Sequence, residues 1–86
     1  MIKKPAKLVE FMPIGRNSGH EIRARSVSVK GDSLTVRLFA VKGTKKKRKI
    51  ALMDRCEVLL WQNKTSQNLG RFSIVMNGDL VTGVKL

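Results

Sequence analysis

The run Val27-Ser28-Val29-Lys30-Gly31-Asp32-Ser33-Leu34-Thr35-Val36-Arg37-Leu38 most constrains what this chain can fold into. Apolar residues recur at every second position on both sides of Gly31-Asp32. That period belongs to a half-buried strand, and β-branched valine and threonine suit a pleated surface. A two-residue Gly-Asp loop predicts a type II′ hairpin, with glycine supplying positive φ at the first central position. Its register sets Val29 against Leu34 and Val27 against Val36. The second strand reads on to Lys42, with Leu34, Val36, Leu38 and Ala40 on one face. Thr35, Arg37, Phe39 and Val41 fall on the other.

Extended outward unchanged, this register would set Arg25 beside Leu38 and Arg23 beside Ala40 on the core face. One extra residue near Arg25-Ser26 reverses the later side chains, turning Ala24 and Ile22 inward and the two arginines outward. The sequence therefore predicts a β-bulge around residues 24–27. Arg23, Arg25, Arg37 and Phe39 would then share one outward face.

The remaining chain reads as further short strands. A strand from Lys7 to Met12 stops at Pro13 and leads to an Arg16-Asn17-Ser18-Gly19 loop. Ile50-Ala51-Leu52-Met53 reads as a strand. Residues 54–62 are open between a strand and a short helix, for which Asp54 and Glu57 have capping-box spacing. The strand is the preferred reading. Gln62 to Asn68 reads as a polar loop. In the last hairpin, a three-residue loop Met76-Asn77-Gly78 with a G1 bulge would gather Phe72, Ile74, Leu80, Val84 and Leu86 on one face. No internal repeat is visible, and no linker divides residues 1–86, which read as a single domain. The expected fold is all-β with at most one short helix: a small SH3-like or OB-like antiparallel barrel of five to six strands. Closure hides strand edges that would otherwise recruit other chains. The OB-like version would use residues 54–62 as its helix.

Charge then narrows function. Eighteen Lys and Arg oppose six Asp and Glu, a formal net charge of +12. Small domains usually stay soluble with a net charge of about 2–8 in magnitude. The larger surplus points to a polyanionic partner, with nucleic acid the commonest one inside cells. At 42% apolar residues the chain is too hydrophobic for a disordered basic tail. No apolar run approaches the roughly 20 residues of a membrane span, so no membrane partner is expected. The start has no apolar core of a secretory signal, and the single Cys56 cannot form an internal disulfide. Both fit an intracellular protein, cytoplasmic or, in a nucleated cell, nuclear. Asn63-Lys64-Thr65 matches a glycosylation triplet by coincidence on this reading.

Catalytic chemistry is poorly provided for. One His, one Cys and six scattered carboxylates offer no usual zinc set, and no phosphate-binding glycine motif occurs. Cys56 with His20 is a conceivable nucleophile pair, but a structural thiol and a surface imidazole explain them more simply. The expectation is no enzyme, no cofactor and no metal. Trp61 reads as core in preference to a half-exposed anchor.

The densest signal is Lys42-Gly43-Thr44-Lys45-Lys46-Lys47-Arg48-Lys49, six of whose eight positions are basic. Mutual repulsion favours a protruding hairpin loop that reaches a phosphate backbone. The expected nucleic-acid site is Lys42, Lys45, Lys46, Lys47, Arg48 and Lys49, flanked by Arg23, Arg25 and Arg37, with Phe39 as either a stacking platform or part of a second small core. Few groups can read base edges, so specificity should be low, and single or double strands of DNA or RNA stay open. One alternative is a small inhibitor or adaptor, of viral or mobile-element kind, docking on an acidic protein. Another is an oligomeric structural subunit.

Overall fold

The computed structural model describes residues 7–17, 19–39, 48–50 and 53–86. Six strands run β1 (Lys7–Pro13), β2 (His20–Lys30), β3 (Ser33–Leu38), β4 (Arg55–Gln62), β5 (Thr65–Asn77) and β6 (Leu80–Lys85). They close an antiparallel barrel in the order β1-β2-β3-β6-β5-β4, with β4 returning to β1. The expected small β-barrel is therefore present, with six strands.

The β2–β3 hairpin forms as its alternation requires, with Val29 opposite Leu34 and Val27 opposite Val36. Gly31 has φ 57, and Asp32 is absent from the residues at positive φ, which is the φ pattern of a type II′ turn. The register shifts between Ala24 and Ser26, so the predicted bulge is real and Arg25 is its extra residue. Beyond Leu38, Phe39 leaves the sheet, and the expected extension through Ala40 and Val41 falls outside the described residues.

Two long strands close the barrel by serving two partners each. β2 pairs with β1 through residues 20–24 and with β3 from residue 24 onward. β5 pairs with β4 from Thr65 to Ser73 and with β6 from Phe72 to Asn77. A bulge bends and twists its strand, which lets one strand turn from one partner to the next. In β5 the irregularity is at Leu69, where the register against β4 shifts between Val58 and Leu59. Gly70, at φ 122, follows it, and its N–H donates to Asn68 Oδ1 at 2.8 Å.

Residues 54–62, open between a strand and a short helix, take the preferred strand form, and three other expectations are corrected. Residues 54–62 contain no helix: Arg55–Gln62 is strand β4, and the Asp54 carbonyl accepts the Ile74 N–H at 2.8 Å. Ile50-Ala51-Leu52-Met53 is not a strand where it is described. Ile50 is helical and fully buried, and Met53 N–H donates back to the Ile50 carbonyl. Gln62 to Asn68 is not a loop. Asn63 and Lys64, at φ 49 and 67, form a two-residue turn of the kind that type I′ requires, and β5 starts at Thr65.

The third correction concerns the last hairpin. Asn77 pairs with Leu80, so the loop is Gly78-Asp79 and repeats the turn chemistry of Gly31-Asp32. Val81 and Gly83 therefore face the core, while Val84 and Leu86 are 63% and 58% exposed. Space decides this register. Gly83 stands between Leu34 and Ile74 in adjacent strands. A Cβ there would meet Phe72 Cβ at 3.2 Å, Ile74 Cγ2 at 3.3 Å and Leu34 Cβ at 3.4 Å. The missing side chain is filled by its neighbours.

The barrel also has an internal order that the sequence hides. Gly78-Asp79 stands 47 positions after Gly31-Asp32. The same displacement carries Ser33–Leu38 onto Leu80–Lys85, and the pair Ser26–Arg37 onto the pair Ser73–Val84. Thr35 pairs with Thr82 and Phe11 with Val58, each joining residues 47 apart. Exchanging the two halves thus maps the β3–β6 and β1–β4 seams onto themselves. The β1–β2 and β4–β5 registers break the rule, because a two-residue turn replaces the longer 14–19 connection. Only five residues in 7–39 recur 47 positions later (Glu10, Ser26, Gly31, Asp32 and Thr35), too few to show as a repeat.

The core is apolar throughout. Phe11, Phe72, Leu34, Leu38 and Ile50 are its largest fully buried side chains, and no polar or charged residue is buried among the described residues. Overpacking it should be costly. Gly83→Val is expected to destabilise the barrel by about 1–3 kcal/mol in denaturant unfolding, since three side chains must move to admit the new branch. A Gly83→Val protein as stable as the parent would show that the Phe72–Ile74–Leu34 contact is loose.

Candidate nucleic-acid interface

The β2 bulge builds the candidate site. Ala24, opposite Leu38, is fully buried, so its neighbours Arg23 and Arg25 turn outward and are exposed. Ser26 then resumes the ladder opposite Arg37, which is also exposed. Arg25 is the unpaired residue of the bulge, and its Cζ lies 5.3 Å from the centroid of the Phe39 ring. This is cation–π distance, and it joins the bulge to the first residue after β3. The structure thus gathers Arg23, Arg25, Arg37 and Phe39 at one corner of the barrel. Phe39 is half-buried, with one arginine covering its ring.

The cationic corner has a boundary. Glu21 is exposed two residues before Arg23 in the same strand, and it pairs with Glu10 of β1. Carboxylates directly opposite each other disfavour one another, and here one of them has a specific partner. Trp61 Nε1 donates to Glu10 Oε1 at 2.9 Å. Across the neighbouring β4–β5 seam, Asn68 Nδ2 donates to Glu57 Oε2 at 2.8 Å, and Arg71 Nε lies 3.8 Å from Glu57 Oε1. Glu57 is thus a strand residue tied to β5, not part of a helix cap. The outer side of the β1–β4 seam therefore carries acid, and the cationic surface lies on the β2–β3 side.

Trp61 is not core, contrary to the preferred sequence reading. Cys56 and Val58 face inward, so strand alternation turns Glu57, Leu59 and Trp61 outward, and Trp61 is half-buried. Read as a strand, residues 54–62 show this alternation in the sequence alone.

Of the basic tract, Arg48 and Lys49 are helical and exposed, with buried Ile50 anchoring the segment immediately after them. Lys42, Lys45, Lys46 and Lys47 lie outside the described residues.

The nucleophile pair has no chemical support. Cys56 is fully buried among apolar side chains, and desolvation pushes its thiol up to about 12, away from the reactive thiolate. Among the described residues, no group of three or more His, Cys, Asp or Glu could hold a metal ion. The raised thiol pKa has a consequence for stability. An unfolded chain loses this proton near the ordinary thiol value of 9.0, while the folded chain keeps it to about 12. Above pH 9 the unfolded state binds fewer protons, so stability is whole below that pH and falls as pH rises. Chemical unfolding at pH 8 and pH 10.5 should show a smaller loss for Cys56→Ala than for the parent. Equal losses would assign the alkaline slope to the lysines alone.

No protein-family model matches the chain, and neither a curated protein nor a solved structure resembles it at a significant level.

Proposed function

We propose that this protein is a non-enzymatic nucleic-acid-binding module of low sequence specificity. The observation that carries the reading is the bulge corner, where three exposed arginines and a half-buried phenylalanine gather on a chain of net charge +12. Guanidinium groups grip phosphates in a planar fork and stack on rings and bases, so both charge and shape suit a polynucleotide. Lys42, Lys45, Lys46, Lys47, Arg48 and Lys49 supply further phosphate contacts through their positive charge. Small barrels of OB-like or SH3-like kind bind strands on an outer face in this manner, with backbone contacts dominating. Four aromatic residues in the whole chain leave little surface for base reading, which supports low specificity.

The test is a salt-dependent binding series against single- and double-stranded DNA and RNA. Affinity should fall steeply as salt rises, because each phosphate contact releases counterions. Arg23→Gln/Arg25→Gln/Arg37→Gln should weaken binding for every sequence and reduce the duplex salt slope by roughly 2–3. Substituting Lys45 through Lys49 with glutamine should have a comparable effect. Affinity unchanged in both variants would overturn the assignment of this face.

A further inference from the structure

The four aromatic residues of this barrel have different surroundings. Phe11 and Phe72 are fully buried in the core. Trp61 donates to Glu10 on the acidic side. Phe39 follows the end of β3 beside the arginines, with the Arg25 Cζ 5.3 Å from its ring centroid. Phe39 is half-buried, yet it is not one of the partly buried side chains, such as Ile22, Val27 and Met76, that pack against the core. Leu86 holds the equivalent place 47 positions later and is 58% exposed, so the framework does not require a ring there. What covers Phe39 is a long, exposed side chain from the unpaired residue of the bulge.

We propose, resting on the nucleic-acid reading, that this corner takes single strands and stacks one unpaired base on the Phe39 ring. In the free protein Arg25 shields that ring. An exposed cation–π contact is weaker than a base stacked on an aromatic side chain, so an incoming base displaces the guanidinium. The displaced group keeps its charge and turns to the adjoining phosphate, joined by Arg23 and Arg37. A duplex meets the same cations but cannot use the ring, because its bases are already stacked and offer only their edges. The fold also lacks a groove reader. A major groove admits a helix or a two-stranded ribbon. Among the described residues the helical ones are 48–50, too few to lie in a groove. The ribbon tips, Gly31-Asp32 and Gly78-Asp79, each carry an aspartate, which phosphates repel.

One ring takes one base, and every base has a π-face, so the preference is for an unpaired base of any identity. A single stacked base should raise affinity about 5- to 50-fold over phosphate contacts alone.

An abasic strand separates stacking from charge, since it keeps every phosphate and lacks the bases. Fluorescence anisotropy in about 0.1 M salt compares a labelled strand of about 12 thymidines with an abasic strand of equal length. The parent should bind the intact strand about 5- to 50-fold more tightly. Phe39→Leu should lose that preference while keeping its affinity for the abasic strand, and Phe39→Trp should retain the preference. Uridine strands of ribose, run beside their own abasic form, show which sugar is accepted, and a preference in either sugar supports the proposal. Equal binding of intact and abasic strands by the parent overturns it and leaves the phosphate contacts standing. So does a preference that survives in Phe39→Leu. A parent that binds neither strand overturns the nucleic-acid reading as well.

Discussion

Everything in this barrel depends on two strands long enough to have two partners each. β2 has 11 residues and β5 has 13, against six to eight in the other four strands. Each pairs with one neighbour through its first part and with another through its last. A regular strand cannot do this without placing the wrong side chains in the core, since pleat parity is fixed along its length. The irregularities at Arg25 and Leu69 reset that parity. Arg25 therefore has its outward position for a structural reason, and the cationic corner follows from the way the barrel closes.

The two halves solve the same packing problem with different side chains. Leu34 and Val81 are buried at equivalent places, as are Val9 and Cys56, and Phe11 and Val58. Val36 and Gly83 are also equivalent, yet one fills its site and the other is filled by Phe72 and Ile74. Surfaces diverge further. Arg37 in the first half corresponds to Val84 in the second, and Phe39 to Leu86. One framework thus carries Arg37 and Phe39 of the cationic corner at one position and the exposed Val84 and Leu86 at the other.

The legibility of the sequence followed the strength of local constraint. The β2–β3 hairpin was readable because a Gly-Asp turn and four apolar residues agree on one register, and any slip would bury an arginine. The bulge was readable from the conflict that arginine created, so the corner formed by Arg23, Arg25, Arg37 and Phe39 was legible too. The β5–β6 hairpin was not. Met76-Asn77-Gly78-Asp79 supports more than one turn, and counting apolar residues favoured Leu80 and Val84 over Val81 and Gly83. An inward glycine is invisible to a hydrophobicity pattern, because its role is the space it leaves. Asn63-Lys64 was missed because lysine at positive φ is uncommon, and the hairpin there depends on tertiary pairing. Trp61 was misplaced because a large aromatic suggests a core, whereas its indole N–H has a carboxylate partner outside it.

That partner makes Trp61 more than a surface residue. It is the only tryptophan of the chain, and its hydrogen bond to Glu10 spans the β1–β4 seam, where the first half of the barrel joins the second. Any opening that parts the halves at this seam removes the bond and wets the indole. Emission from this one residue is thus an optical gauge of barrel closure, free of interference from other tryptophans or from tyrosine, which the chain lacks. The protein carries its own reporter at the junction on which its architecture depends.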